Sequence, residues 1–354
     1  MDNRKTNFIV IGPNYYNYSF STVRCLRNMG YSVNFFEEKA FYENCSYFKR
    51  KLYKLGIDAL KERWNKEWNQ ELINFIRLNA TTKTKLIFLS GGVITSNTLL
   101  QLQDYDKVLI LWDSIKRATV DFLERLRLYN KVYFFEYDDL DYIKKHFNII
   151  NATYLPVGYD ENIYFPRSSL LDISNKDIDI SFVGAVTAER FHLLEKVAYY
   201  ANQTGKKLII YGKWFNDRWP WMTWKFKKNH PDLFSCLNNY NIPPEKTADV
   251  YRRSKIVLNI NKSIHKSISP RTFEILATNS FQLMNSGQES NNTLNLMKDL
   301  VLFKTEDDLI AKINYYLSHE NERKEIAQNG FIDCQHFSLS NILSKVLADF
   351  EDIK

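Results

Sequence analysis

Short apolar runs alternate with amphipathic stretches along nearly the whole chain, as expected of strands and helices wound in turn into a parallel sheet. The first run, Phe8-Ile-Val-Ile-Gly12, leads into a polar loop and a helical stretch over 19–29 that Gly30 closes. Further strands are predicted over 32–36, 86–89, 108–112, 132–135 and 153–157, with helices over 61–78 and 119–129 between them. The alternation then restarts, with strands over 178–183, 207–211, 255–260, 281–284 and 300–303, and Thr305 caps a helix that carries Asp308 at its third position. The class is therefore α/β, with two Rossmann-like doubly wound domains facing a cleft. The expected division is 1–158 and 159–337, a last helix over about 339–350 returning with 338–354 to pack on the first domain.

Composition changes this picture little. The 354 residues, 45% hydrophobic and 25% charged, suffice for two cores. Cys25, Cys45, Cys236 and Cys334 lack C-x-x-C spacing, which argues against structural zinc. With no signal peptide and no long apolar run, a reduced cytoplasmic setting is expected. A net charge of +7 favours anionic partners, whether nucleotide diphosphates, a phospholipid surface or nucleic acid, and does not choose among them.

The chemistry concentrates in Ser269-Pro270-Arg271-Thr272-Phe273-Glu274. Ser269 reads as an N-cap and Pro270 as the first helical residue, leaving backbone N–H groups and the positive end of the helix beside the Arg271 guanidinium, a cradle for pyrophosphate. Glu274, one turn on, is placed to accept hydrogen bonds from vicinal hydroxyls such as those of a ribose. Read alone, these residues serve equally well as a capped helix with a surface ion pair.

This motif, with the Ala and the strand after it, resembles the signature of CgeB-like (spore-maturation-type) glycosyltransferases, relatives of the group 1 (family 4) enzymes with the GT-B fold. Asp179-Ile-Ser-Phe-Val-Gly184 with Arg190, Leu208-Ile-Ile-Tyr-Gly-Lys213, the run 248–260, and Asp307-Asp308-Leu309 occur in that family's order, and 155–166 is similar to its interdomain joint. The similarity runs from about 106 to 337. It implies donor contacts from Gly184, Arg190, Gly212, Lys213, His265, Ser269, Pro270, Arg271, Thr272 and Glu274. It also implies that the loop with Gly12, Asn14 and Tyr15, and the Gly91-Gly92 turn, border the acceptor. Many retaining relatives carry a second Glu eight positions before the first, where this chain has Lys266, so the resemblance leaves the stereochemistry open.

Gly12-Pro-Asn-Tyr-Tyr lacks the G-x-G-x-x-G spacing of a dinucleotide site, which argues against a dehydrogenase. Asp113, at a strand end, is the best-placed general base for an inverting reaction; Glu136 and Asp138 compete with it, and a turn-capping Asp113 is as good a reading. Asp139-Leu140-Asp141 imitates a D-x-D metal motif but falls at the start of a helix over 138–147, where acidic residues are favoured, so neither a metal nor any other cofactor is expected. Between 212 and 228, Trp214, Trp219, Trp221 and Trp224 interleave with lysines and arginine. Packing beneath a loop is the favoured reading of these tryptophans; a membrane interface, a lipid-linked acceptor or stacked bases are the alternatives. Lys49-Arg50-Lys51 with Trp64 and Trp68 forms a second basic and aromatic stretch.

The expectation is an enzyme that moves a sugar from a nucleotide diphosphate sugar to a hydroxyl of a glycan or lipid-linked glycan, with no nucleic acid partner. A nucleotide-sugar epimerase on the same fold and a non-catalytic sugar-binding protein are the rivals.

Overall fold

The computed structural model describes residues 6–14, 17–56, 58–166, 176–261, 267–287, 294 and 298–351. The chain divides into two compact units, residues 1–157 with 339–354, and residues 158–338. The first is built on six parallel strands: β1 (Asn7–Gly12), β2 (Ser32–Glu37), β3 (Thr84–Leu89), β4 (Lys107–Leu111), β5 (Lys131–Phe134) and β6 (Ala152–Tyr154). Their spatial order is β2-β1-β3-β4-β5-β6. Every residue of β1 and β4 is buried, as parallel strands covered by helices on both faces require. The order reverses between β1 and β3, so the loops after Gly12 and Leu89 open a crevice at the carboxyl ends of the strands.

The second unit repeats the plan with β7 (Ile178–Val183), β8 (Leu208–Tyr211), β9 (Leu237–Asn238), β10 (Ser254–Asn259), β11 (Gln282–Asn285) and β12 (Val301–Phe303), ordered β12-β11-β10-β7-β8-β9. Here the reversal lies between β7 and β10, where Ile180 pairs with Ile256. Gly184 and Asn261 follow the carboxyl ends of those two strands.

The predicted strands are present with small shifts of boundary. The strand expected over 153–157 stops at Tyr154, ahead of Pro156, which has no N–H to give to a ladder. The helix expected over 119–129 is split into Val120–Arg125 and a tighter turn, Leu126–Leu128. β9 was not predicted, because two residues carry no readable period. Thr305 caps as expected, accepting from the Asp308 N–H at 3.1 Å.

The last helix, Leu339–Glu351, belongs to the first unit. Its buried residues Leu339, Ile342, Leu343, Val346 and Phe350 recur at helical spacing and face the Tyr18–Asn28 helix and β1, with Phe350 against Phe8 at 5.9 Å. Asp349 fixes its end, accepting from the Tyr133 hydroxyl at 2.6 Å and pairing with Lys131 at 2.7 Å. Leu343 is fully buried, so Leu343→Ala should cost about 2–5 kcal/mol in urea unfolding by lost transfer energy and a residual cavity. A loss below about 1 kcal/mol would mean that the helix is not part of the first unit's core.

Candidate functional site

The site of the second unit is built on the helix Pro270–Ala277. Ser269 is extended (φ −74°, ψ 154°) and Pro270 starts the helix. The Ser269 side chain does not cap it: the hydroxyl donates to Asn261 Oδ1 at 2.7 Å. Beside it, Asn261 Nδ2 is buried without a hydrogen-bond partner among the described residues. The helix buries Phe273, Ile275, Leu276 and Ala277, and Phe273 stacks on Phe337 at 4.5 Å. Arg271 and Glu274, three apart and thus neighbours on the helix surface, remain half-buried. Thr272 corrects the expectation of a donor contact through its side chain. It is fully buried, its hydroxyl accepting from Asn259 Nδ2 at 2.9 Å and donating to Met284 Sδ at 3.6 Å.

Arg271 reaches over the Phe182 ring, 5.6 Å from its centroid, and hydrogen-bonds Tyr251. A Cβ on Gly184 would lie 2.9 Å from the Arg271 guanidinium, so glycine at the end of β7 is what admits that side chain. Gly212, with φ +149°, is tighter still, because a Cβ there would overlap the Gly184 carbonyl. The two glycines let the ends of β7 and β8 meet, and Trp214 closes the contact by donating its indole N–H to the Gly184 carbonyl at 3.1 Å. Glu274 keeps some surface, yet its carboxyl is enclosed by protein. Burial pushes it up to about 7, against the opposing pull of Arg271 and a hydrogen bond from Tyr164.

Arg190, expected at the diphosphate, is buried and holds backbone: Nε donates to Ile260 O at 2.8 Å and Nη1 to Ala185 O at 3.0 Å. It thereby ties the loop after β7 to the end of β10, a supporting role for which sequence gave no signal. Lys213 is exposed and paired with Asp217 at 2.5 Å. His265 and Lys266 lie outside the described residues, as does Tyr15.

In the first unit, Gly12 packs where a Cβ would meet Leu89 Cβ at 2.7 Å, and Asn14 is exposed. Gly91 and Gly92 belong to a strained turn, with Ser90 at φ +95° and Gly91 at +65°. That turn is held by a residue the sequence reading missed. Glu38, buried just past β2, accepts from Gly91 N at 3.1 Å and Val93 N at 3.0 Å. Burial pushes Glu38 up to about 7, against these amides, that of Gly92 and the charge of Arg125. Its available signal was a carboxylate one residue beyond a strand end of a doubly wound sheet.

Of the three base candidates, Asp113 is exposed and accepts from the adjacent Ser114 N–H at 2.8 Å, while Asp138 is exposed in the first turn of Tyr137–Phe147. Glu136 is buried, which withdraws it from the surface where a general base would meet substrate. Asp139 of the D-x-D lookalike is also buried, and its carboxylate accepts from Ile115 N at 3.0 Å. It anchors the loop after β4. Among the described residues no cluster of three His, Cys, Asp or Glu side chains has metal-binding proximity.

Residues 190–348 match the family described as glycosyl transferase-like. A glycosyltransferase from Rickettsia africae is similar in structure, with TM-score 0.68 and 12% identity over 99% of this chain and 98% of that one. Sucrose-phosphate synthase from Thermosynechococcus elongatus gives 0.67 and 10% identity over 99% and 100%. HepE of Anabaena, in complex with UDP-glucose, gives 0.62 and 12% over 98% and 99%. No curated protein matches significantly. The fold is that of the GT-B glycosyltransferases.

The Glu38 anchor makes stability depend on pH. Its ordinary value is 4.5 and its folded value about 7, so between these the unfolded chain gives up a proton that the folded chain keeps. Stability should therefore fall as pH rises through that window. Glu38→Gln should reduce the slope, as read by denaturation midpoints at successive pH values, and an unchanged slope would show that Glu38 does not titrate with folding.

Proposed function

We propose that the protein transfers a sugar from a nucleotide diphosphate sugar to a hydroxyl of a glycan or lipid-linked glycan, as a CgeB-like member of the group 1 enzymes. The observation that carries this reading is one helix, Pro270–Ala277, presenting Arg271 and a proton-retaining Glu274 at the switch point of the second sheet. Support comes from HepE, whose complexes with UDP and with UDP-glucose share the fold.

In this reading the second unit takes the donor and the first takes the acceptor. The leaving diphosphate lies against the start of the helix, where the positive end of the helix dipole and Arg271 stabilise the charge that develops as the glycosidic bond to the diphosphate breaks. Lys213 can join it by exchanging Asp217 for phosphate. Glu274 accepts from the ribose hydroxyls. In an inverting reaction, exposed Asp113 or Asp138 would take the acceptor proton. The diphosphate charge is met by helix and guanidinium, and transfer then needs no divalent metal or other cofactor.

Glu274→Ala and Arg271→Ala should each weaken donor binding by about 1.5–3 kcal/mol, measured by calorimetry, with the unfolding midpoint little changed. Wild-type affinity in both variants would refute the assignment. Because Glu274 must shed a proton to accept two hydroxyls, affinity for UDP-glucose should rise from pH 6 to pH 8, and this rise should vanish in Glu274→Gln. Transfer should persist in EDTA; abolition by EDTA with rescue by manganese would overturn the metal-free reading.

A further inference from the structure

Three tryptophans that follow β8 of the second sheet stand in solvent. Trp219, Trp221 and Trp224 are 51%, 58% and 62% exposed. The reading that favoured packing beneath a loop holds for buried Trp214 and fails for these three. Their helix, Pro220–Asn229, packs inward through Phe226, which stacks on Phe215 at 4.2 Å. Its outward face carries Trp221, Trp224, Lys225 and Lys228 at i, i+3, i+4 and i+7, all exposed. Lys228 Nζ lies 5.2 Å from the Trp224 ring centroid, and the Arg218 guanidinium lies 5.7 Å from that of Trp219. Among the described residues no carboxylate pairs with Arg218, Lys225, Lys227 or Lys228.

Nothing in the folding of this unit calls for three indoles in water, since an exposed apolar patch is a cost unless something covers it. What covers it must welcome indole rings and carry negative charge. A sugar-stacking platform would account for the rings but not for the unpaired cations around them. The same composition recurs independently on the first unit. The helix Tyr47–Lys54 buries no residue at all. Tyr47, Phe48 and the following Leu55 are 72%, 69% and 78% exposed, and Lys49, Lys51 and Lys54 stand among them. By contrast Trp64 and Trp68, grouped with that stretch in the sequence, turn inward and donate to the Lys39 and Glu37 carbonyls at 2.8 and 3.0 Å.

We propose that the protein docks on an anionic phospholipid surface through the aromatic and basic face of Pro220–Asn229, with Tyr47–Lys54 as a second contact. Indoles settle at the headgroup level while lysines meet phosphate, so a helix face that joins exposed indoles to unpaired lysines suits an anionic lipid surface. Among the described residues no helix is long and apolar enough to cross a membrane, and a helix of 10 residues lies on a bilayer and does not span it. The first patch follows β8 at the edge that bears Gly212 and Gly184, so docking would bring the donor site close to lipid-linked acceptors. Only this last consequence rests on the proposed reaction.

The test is sedimentation of the full chain with phosphatidylcholine vesicles with and without one third phosphatidylglycerol, at about 0.1 M salt. Binding should require the anionic lipid, and brominated phosphatidylglycerol should quench tryptophan fluorescence. Trp221→Ser with Trp224→Ser should abolish most of that quenching. Lys225→Glu with Lys228→Glu should lower affinity by at least about fivefold per lysine. Tyr47→Ser with Phe48→Ser should weaken binding further. UDP-glucose affinity of the same samples should stay at the wild-type value, which separates failure here from failure of the donor assignment. No sedimentation with anionic vesicles, or binding indifferent to both pairs in Pro220–Asn229, would overturn the proposal. So would a soluble oligosaccharide that quenches these tryptophans while vesicles do not bind.

Discussion

The second unit's site depends on three polar side chains that see no water. Asn259, Thr272 and Gln282 are fully buried. Asn259 Nδ2 donates to Thr272 Oγ1 at 2.9 Å and to Gln282 Oε1 at 3.0 Å, and Gln282 Nε2 returns a bond to the Thr272 carbonyl at 3.3 Å. The ring of bonds locks the first turn of Pro270–Ala277 onto β10 and β11. Asn259 Oδ1 is left buried without a partner among the described residues, but the bonds that are made are costly to break in a dry interior, so they set the helix in one rotation. That rotation turns Phe273 into the core and leaves Arg271 and Glu274 at the rim. Arg190 performs the same service for the loop after β7, spending charge on backbone carbonyls so that Gly184 stays where Arg271 can pass it.

Each unit places one enclosed carboxyl near the switch point of its sheet, and burial pushes both up to about 7. They serve different ends. Glu38 has its acceptors filled by the amides of a strained glycine turn and acts as an internal strut. Glu274 is met by one hydroxyl, Tyr164, and retains some open surface, so part of its hydrogen-bonding capacity is available to a ligand.

Much of this was legible in the chain. The strand and helix periods gave both sheets, because central parallel strands such as β1, β4 and β10 carry continuous apolar runs. The motif at 269–274 gave the helix start and its two charged residues. What did not show was direction: a sequence does not say that Arg190 turns inward, that Thr272 joins a buried network, or that Trp214 packs while its neighbours stand in solvent. Those outcomes depend on contacts between residues 10 to 70 positions apart, such as Thr272 with Gln282 and Arg190 with Ile260, which no local period encodes. Glu38 escaped for the same reason, since its partners lie 53 and 55 residues away.

The central claim is that a nucleotide diphosphate sugar binds at the switch point of the second sheet. Amide hydrogen exchange with and without UDP-glucose tests it most directly, because protection maps to individual segments. The account predicts slowed exchange at the start of Pro270–Ala277 and in the loops after β7 and β8, with β3 and the turn at 90–93 unchanged by donor alone. Protection confined to the first unit, or absent from the start of that helix at saturating ligand, would contradict it.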